Sequence, residues 1–170
     1  MDRVKEKVAI VTGAGSGLGR AEAVMLAKEG AKVAVTDIND ASGMETVDII
    51  RNAGGEAEYW HLDASEEKEC KAVIDAVAEK FGKIDILVNN AGITGPDVTT
   101  EEITEEDWDR MFKINVKSVL FMTKHTIPYM RKNGKGSIVN TSSLSGIIGD
   151  TELTPYHATK GTIVIMSQKD

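Results

Sequence analysis

The sequence is short of several things, and each shortage closes off a class of function. Cys70 is the only cysteine among 170 residues, which excludes an intrachain disulfide and a multi-cysteine metal centre. The histidines are three, His61, His125 and His157, and their spacing has no ligand-like pattern, so no metal site is expected. Positive charge is also scarce, with 20 Lys and Arg against 27 Asp and Glu for a formal charge of -7. A phosphate backbone is held by clustered Lys and Arg, and no basic stripe is present. Neither a nucleic acid nor an anionic membrane is therefore an expected partner. No apolar run approaches the ~18 residues that read as a bilayer span, and the charged start over 1–7 lacks the apolar core of a secretion signal. The cytoplasm is the expected compartment. With 41% apolar residues, the chain is expected to form one domain over 1–170, and folding at this size buries about 68–70% of the unfolded surface.

What is present is organised around residues 8–20. The apolar run Val8-Ala9-Ile10-Val11 enters Thr12 and then the alternating glycines Gly13, Gly15, Gly17 and Gly19, after which Ala21, Val24, Met25 and Leu26 recur at helical spacing. This predicts a buried strand, a phosphate loop and a helix that Gly30 closes. Glycines let the backbone approach a pyrophosphate, whose charge the helix start attracts. The frame GxGxxG from Gly13 fails because Leu18 holds its last position, whereas TGxxxGxG fits from Thr12 to Gly19. Gly13, Ser16, Gly17, Leu18 and Gly19 are the loop's candidate cofactor contacts.

Further along, strands and helices alternate without long linkers or repeats, the pattern of an α/β fold with a parallel sheet covered by helices. Strands are predicted over 32–36, 58–62, 84–88 and 137–141. Helices are predicted over 42–52, from an N-cap at Ser65 to Phe81-Gly82, and from about Thr104 through Trp108, Met111, Phe112, Asn115, Val119 and Met122, with Pro128 bending the last or marking its final turns. Thr154 and Pro155 read as the N-cap and first position of a helix running to Asp170. Asp37 ends the second strand about 20 residues beyond the glycine loop, where an acidic side chain holds the two ribose hydroxyls of an adenosine. Neither Asp37, Ile38 nor Ser16 offers positive charge for a 2′-phosphate, so the expected cofactor is NAD.

The TGxxxGxG loop, Asp63 after the third strand, Asn89-Asn90-Ala91-Gly92, Asn115, Ser143 and Tyr156-x-x-x-Lys160 stand together in one order. With them the sequence resembles the short-chain dehydrogenase/reductase family over essentially its whole length. The resemblance implies a doubly wound, Rossmann-type sheet with NAD across the strand ends, where strand order reverses between the first and fourth strands. It implies that Asp63 and Ala64 contact the adenine, that Ile38 lies beside Asp37 at the adenosine ribose, and that Asn90 passes close to the second ribose. It implies that Tyr156 and Lys160 serve both cofactor and chemistry, that Ser143 orients the substrate oxygen, and that Asn115 bends its helix and holds a water relaying protons to the lysine.

Spacing alone places Tyr156 and Lys160 on one helix face. A phenol ordinarily titrates near 10, so lowering it by about two units takes roughly 2.7 kcal/mol. An ammonium about 4 Å away supplies on the order of 4 kcal/mol at an effective dielectric of 20.

The expected function is hydride transfer between NAD and a secondary alcohol or its ketone. A non-catalytic dinucleotide-binding or association fragment is the alternative, and a 3-oxoacyl carrier-protein reductase is the alternative enzyme. The loops 93–100 and 144–153 are mixed apolar and polar without a cationic clamp, which favours a small neutral or apolar alcohol. Two departures from the family stand out. His157-Ala158-Thr159 fill the interior of the Tyr-to-Lys motif, where small residues are frequent. A further strand, a Pro-Gly turn, a substrate-covering lid and a last strand, which follow this helix in the family, are absent from these 170 residues. Ile138, Val139, Ile163, Val164, Ile165 and Met166 would then face water and the fifth strand would be an open edge. The chain alone is accordingly expected to be aggregation-prone or held in homo-oligomers, dimers or tetramers built through the helices of Asn115 and Tyr156, with little turnover of its own.

Overall fold

The computed structural model describes residues 2–149 and 151–168. Among these residues five strands, β1 (Val8–Thr12), β2 (Lys32–Asp37), β3 (Glu56–His61), β4 (Ile86–Asn89) and β5 (Ser137–Asn140), alternate with six α-helices. These are α1 (Gly17–Lys28), α2 (Asp40–Asn52), α3 (Glu67–Phe81), α4 (Glu105–Phe112), α5 (Ser118–Lys132) and α6 (Thr154–Ser167). The strands form one sheet in the order β3-β2-β1-β4-β5, and every pairing is parallel. This is a Rossmann-like doubly wound sheet.

β1 is buried along its whole length, as a central parallel strand covered on both faces must be. Alternation of side chains divides its residues between two cores. Val8 and Ile10 join Ile74, Val77, Leu87 and Met122 on the side of α3 and α5. Ala9 and Val11 join Ala23, Val33, Val47 and Ile50 on the side of α1 and α2. Each such aliphatic side chain removed from water contributes about 1.5–3 kcal/mol. Cys70 belongs to the first core, donates to Ala64 O at 3.3 Å, and has its thiol pushed up to about 12 by burial, so it is packing and not a nucleophile.

Several boundaries differ from the sequence expectation for local reasons. α2 starts at Asp40 and not at residue 42, because Asn39 Oδ1 accepts the Ser42 N–H at 3.0 Å and caps the helix. β3 begins at Glu56, two residues early, by pairing in register with Lys32. Ser65 is not the cap of α3: its N–H is tied to Asp63 Oδ1 at 2.9 Å in a turn, and Glu66 takes the cap position. The pattern read as one long helix is α4, capped reciprocally by Thr104 and Asp107, then a wider π-helical turn over Lys113–Lys117, then α5, which carries Pro128 in its last turns. In α6 Thr154 and Pro155 are the first two helical residues, behind Leu153 at φ 58. The end of that helix at residues 169–170 lies outside the described residues. β5 is an edge strand with Val139 half exposed, and Ile165 on α6 is exposed, but Ile163 is buried against the expectation. Among the described residues no helix is long and apolar enough to cross a membrane, and no cluster of three or more His, Cys, Asp or Glu is placed to hold a metal ion.

The strand predicted over 84–88 is bounded at Ile86, one residue beyond Asp85, whose backbone already donates to Val8 O and accepts the Ser137 N–H at 2.9 Å each, and whose side chain acts at the bottom of the sheet. Its carboxylate accepts the Val8 N–H at 3.0 Å and pairs with Lys7 at 3.0 Å and Lys83 at 3.0 Å. Burial pushes its pKa up, but the Val8 N–H and the two ammonium groups outweigh this and hold it below the usual carboxylate range. A carboxyl lowered on folding contributes stability above its unfolded pKa, which is lost as pH falls through the folded value. Asp85→Ala is therefore expected to cost about 1–3 kcal/mol at neutral pH by leaving the Val8 donor unpaired, and to flatten the acid side of the stability profile. Urea midpoints at neutral and acid pH check both; an unchanged midpoint at neutral pH contradicts the assignment.

Candidate active site

β1 has β2 on one side and β4 on the other, so the connections leaving β1 and β4 part and open a crevice at the strand ends. A cleft of about 580 Å³ lies there. Gly13, Ser16, Gly17, Leu18, Asp37, Ile38, Asp63, Ala64 and Asn90, nine of the residues expected to hold the cofactor, all line it. α1 begins at this cleft with Gly17, so the positive end of its dipole lies at the wall.

The loop has a built geometry. Thr12 Oγ1 accepts the N–H groups of Asn90 and Ala91, each at 3.0 Å, and joins the ends of β1 and β4. Asn90 Nδ2 donates to Thr12 O at 3.1 Å and Gly13 O at 3.2 Å, so its amide nitrogen is committed to the loop. Gly19 packs so closely under this turn that a Cβ there would collide with Gly13 O and Asn90 Nδ2. At Gly17, with φ 51, a Cβ would meet nothing within 4 Å, which leaves open space beside the loop. Asp37 sits at the rim, where Oδ2 accepts the Gly15 N–H at 2.8 Å and Oδ1 the Asn39 N–H at 2.9 Å. Arg20 is turned towards α2, with Nε on Thr46 Oγ1 at 3.0 Å and its guanidinium paired to Glu45 at 2.6 Å. Asp63 uses Oδ1 on the Ser65 N–H, so part of its polarity serves the turn.

Of the residues expected to be catalytic, Asn115 and Lys160 border Gly92, and the Tyr156 ring lies beside Lys160. Lys160 is buried, its Nζ donates to Thr141 O at 2.8 Å and lies 5.6 Å from the centre of the Tyr156 ring, and burial lowers its pKa. Asn115, at the centre of the π turn, is fully buried: Oδ1 accepts the Ile93 N–H at 2.8 Å, while Nδ2 donates to Ile93 O at 2.9 Å and Thr159 Oγ1 at 3.2 Å. One amide thus ties the loop after β4 to α6. A Cβ on Gly92 would stand 3.0 Å from Asn115 Oδ1 and 3.8 Å from Lys160 Nζ, so this glycine borders both. Ser143 follows β5, and its Oγ accepts the Ser145 N–H at 3.2 Å; among the described residues no hydrogen bond joins it to Tyr156.

Sequence reasoning missed two parts of the cleft wall. Arg110 and Ile114, four apart on one helical stretch, both line it, so a cation from α4 stands at the wall although the loops 93–100 and 144–153 themselves carry none. Their spacing was a readable signal, but Arg110 shares its helix face with Glu106 and Asp107, which reads as solvated.

A family model described as short chain dehydrogenase matches residues 7–169. An uncharacterized oxidoreductase of Thermotoga maritima is 43% identical over 158 residues, 93% of this chain and 62% of the relative. Cyclopentanol dehydrogenase of a Comamonas species is 39% identical over 168 residues, 99% of this chain and 67% of the relative. The crystal structure of NAD+-bound xylitol dehydrogenase is similar at a TM-score of 0.95 and 33% identity, covering 98% of this chain and 64% of that one. The chain belongs to the short-chain dehydrogenase family. It spans 62% of the length of the Thermotoga relative and 67% of the Comamonas relative.

Proposed function

We propose that the protein is an NAD-dependent oxidoreductase that moves hydride between NAD and a secondary alcohol or its ketone. The observation that carries this reading is the buried Lys160 ammonium beside the Tyr156 ring, bordered by the same Gly92 that lines the dinucleotide cleft. The residues fit the cofactor: the loop leaves open space at Gly17, a helix start faces the cleft, and a carboxylate stands at its rim. NAD, when bound, supplies the hydride acceptor at C4 of its nicotinamide. The phenol oxygen of Tyr156 takes the alcohol proton in oxidation and returns one to the carbonyl in reduction. Lys160 keeps positive charge beside that ring, fixed by Thr141 O, and Ser143 orients the substrate oxygen. Asn115 keeps Ile93 and Thr159 in place around them.

Leu144, Ile147 and Ile148, exposed on the turn after Ser143, favour a small neutral or apolar alcohol. A panel of secondary alcohols with NAD, followed by NADH absorbance, tests the reading: turnover is expected with apolar members, while NAD binding without turnover on any of them supports an association fragment. The exposed Val139 and Ile165, and separately a groove of about 520 Å³ at the β5 edge lined in part by Val119, Ile127 and Ile138, support a homo-oligomer, dimer or tetramer, which sedimentation measures.

NAD over NADP is proposed from Asp37. A 2′-phosphate there meets a carboxylate, and Arg20 is already paired with Glu45. NAD is expected to bind at least ~10-fold more tightly, which needs only ~1.4 kcal/mol of repulsion, and Asp37→Asn to narrow the gap. Equal affinities of the unaltered protein for the two would contradict the assignment.

A further inference from the structure

Behind Asp37 lies a second set of contacts that bears on its aim. Tyr59, on β3, places its hydroxyl oxygen 2.8 Å from Asp37 O and 2.7 Å from Asp40 Oδ1. Both are acceptors, so the one phenolic proton is shared between them and draws the two ends of the 37–40 turn together. Asp40 Oδ1 also lies 2.7 Å from His61 Nδ1. The turn in between contains Asn39, whose N–H holds Asp37 Oδ1. The chain of contacts therefore runs from the Tyr59 hydroxyl through the turn backbone to the carboxylate at the cleft rim.

The sequence makes room for this at a cost. The ring of Tyr59 crosses α2 at Gly43, where any Cβ would collide with it. A glycine inside a helix is unfavourable relative to alanine, and Gly43 is buried on the face of α2 that also buries Thr46, Val47 and Ile50, where packing alone would favour a side chain. Tyr59 and Gly43 are thus a matched pair, sixteen positions apart in sequence and joined by the register that sets β3 beside β2.

We infer that Tyr59 is a positioning residue for cofactor choice: through Asp37 O and Asp40 it fixes the Asp37 carboxylate in the orientation that holds the two ribose hydroxyls of NAD. The inference rests on the NAD reading of the cleft. Tyr59→Phe keeps the ring over Gly43 and removes only the hydroxyl. NAD is expected to bind about 5-fold more weakly, in the range of one lost hydrogen bond, while NADP, which makes no such use of the carboxylate, stays within about twofold, so the NAD-to-NADP ratio falls. A merely structural role would weaken both alike. Gly43→Ala, which displaces the ring, is expected to lower the same ratio, and urea midpoints identify any loss of folding.

The experiment is calorimetric titration of NAD and NADP into the unaltered protein, Tyr59→Phe, Gly43→Ala and Asp37→Asn. A ratio lowered in Tyr59→Phe bears the inference out. A ratio unchanged in folded Tyr59→Phe, with the preference lost in Asp37→Asn, overturns the inference and leaves the NAD reading standing. No NAD preference in the unaltered protein overturns both.

Discussion

Tyr156→Phe is expected to leave NAD affinity within about twofold while lowering turnover by on the order of 10²-fold or more, the usual scale of a positioned acid or base. The ring remains beside the Lys160 ammonium, whose own anchor is Thr141 O and not the phenol. Tyr156 is not among the residues that line the cleft around the loop from Gly13 and at Asp37. Removing one oxygen therefore separates binding from chemistry, which a general loss of structure could not do. The check is a pair of measurements on the protein as isolated from its source, titration of NAD and steady-state oxidation of the best alcohol of the panel. Retention of more than half the turnover would show that another group moves the proton.

The second large effect is expected at Gly19. An alanine there drives its methyl into Gly13 O and Asn90 Nδ2, and neither neighbour is a flexible side-chain end: one is backbone, and the other is the amide that holds the ends of β1 and β4 together. Overpacking of this kind costs about 1–3 kcal/mol, and the loop must shift to relieve it. Because the shift falls on the residues that cradle the pyrophosphate, NAD affinity is expected to fall about 10-fold or more, with NADP affected equally. That equality distinguishes it from Tyr59→Phe and Asp37→Asn. Titration of Gly19→Ala with both cofactors checks it, with a urea midpoint to confirm folding; NAD binding within twofold of the unaltered protein would contradict the role given to the loop.

Features set by near neighbours in sequence were legible before the fold. The strand, glycine turn and helix over 8–30, the acidic end of β2 and the Tyr-to-Lys spacing on α6 follow from local periodicity and turn chemistry, and the structure places them as the pattern predicts. Features set by distant partners were not legible. Asn115 stood out as a polar residue on an apolar face, but the π turn around it goes with hydrogen bonds to Ile93, twenty-two positions away. Ser65 looked like a helix cap, but it closes a turn by donating its N–H to Asp63 Oδ1, and the helix starts one residue later behind Glu66, a shift that sequence does not display. Gly43 passed as an ordinary helix residue, since its reason is the Tyr59 ring arriving from another strand. Ile163 was expected to be exposed, because the packing of α6 onto the core is a tertiary fact.

The most direct test of the account is the fate of one hydrogen. A secondary alcohol carrying deuterium at its carbinol carbon is incubated with NAD and the protein, and the reduced cofactor is examined for deuterium at C4 of the nicotinamide. The account predicts one deuterium on C4 for each ketone formed. Ketone formed with the deuterium in water, or NAD held in the cleft with no ketone from any alcohol of the panel, would contradict it.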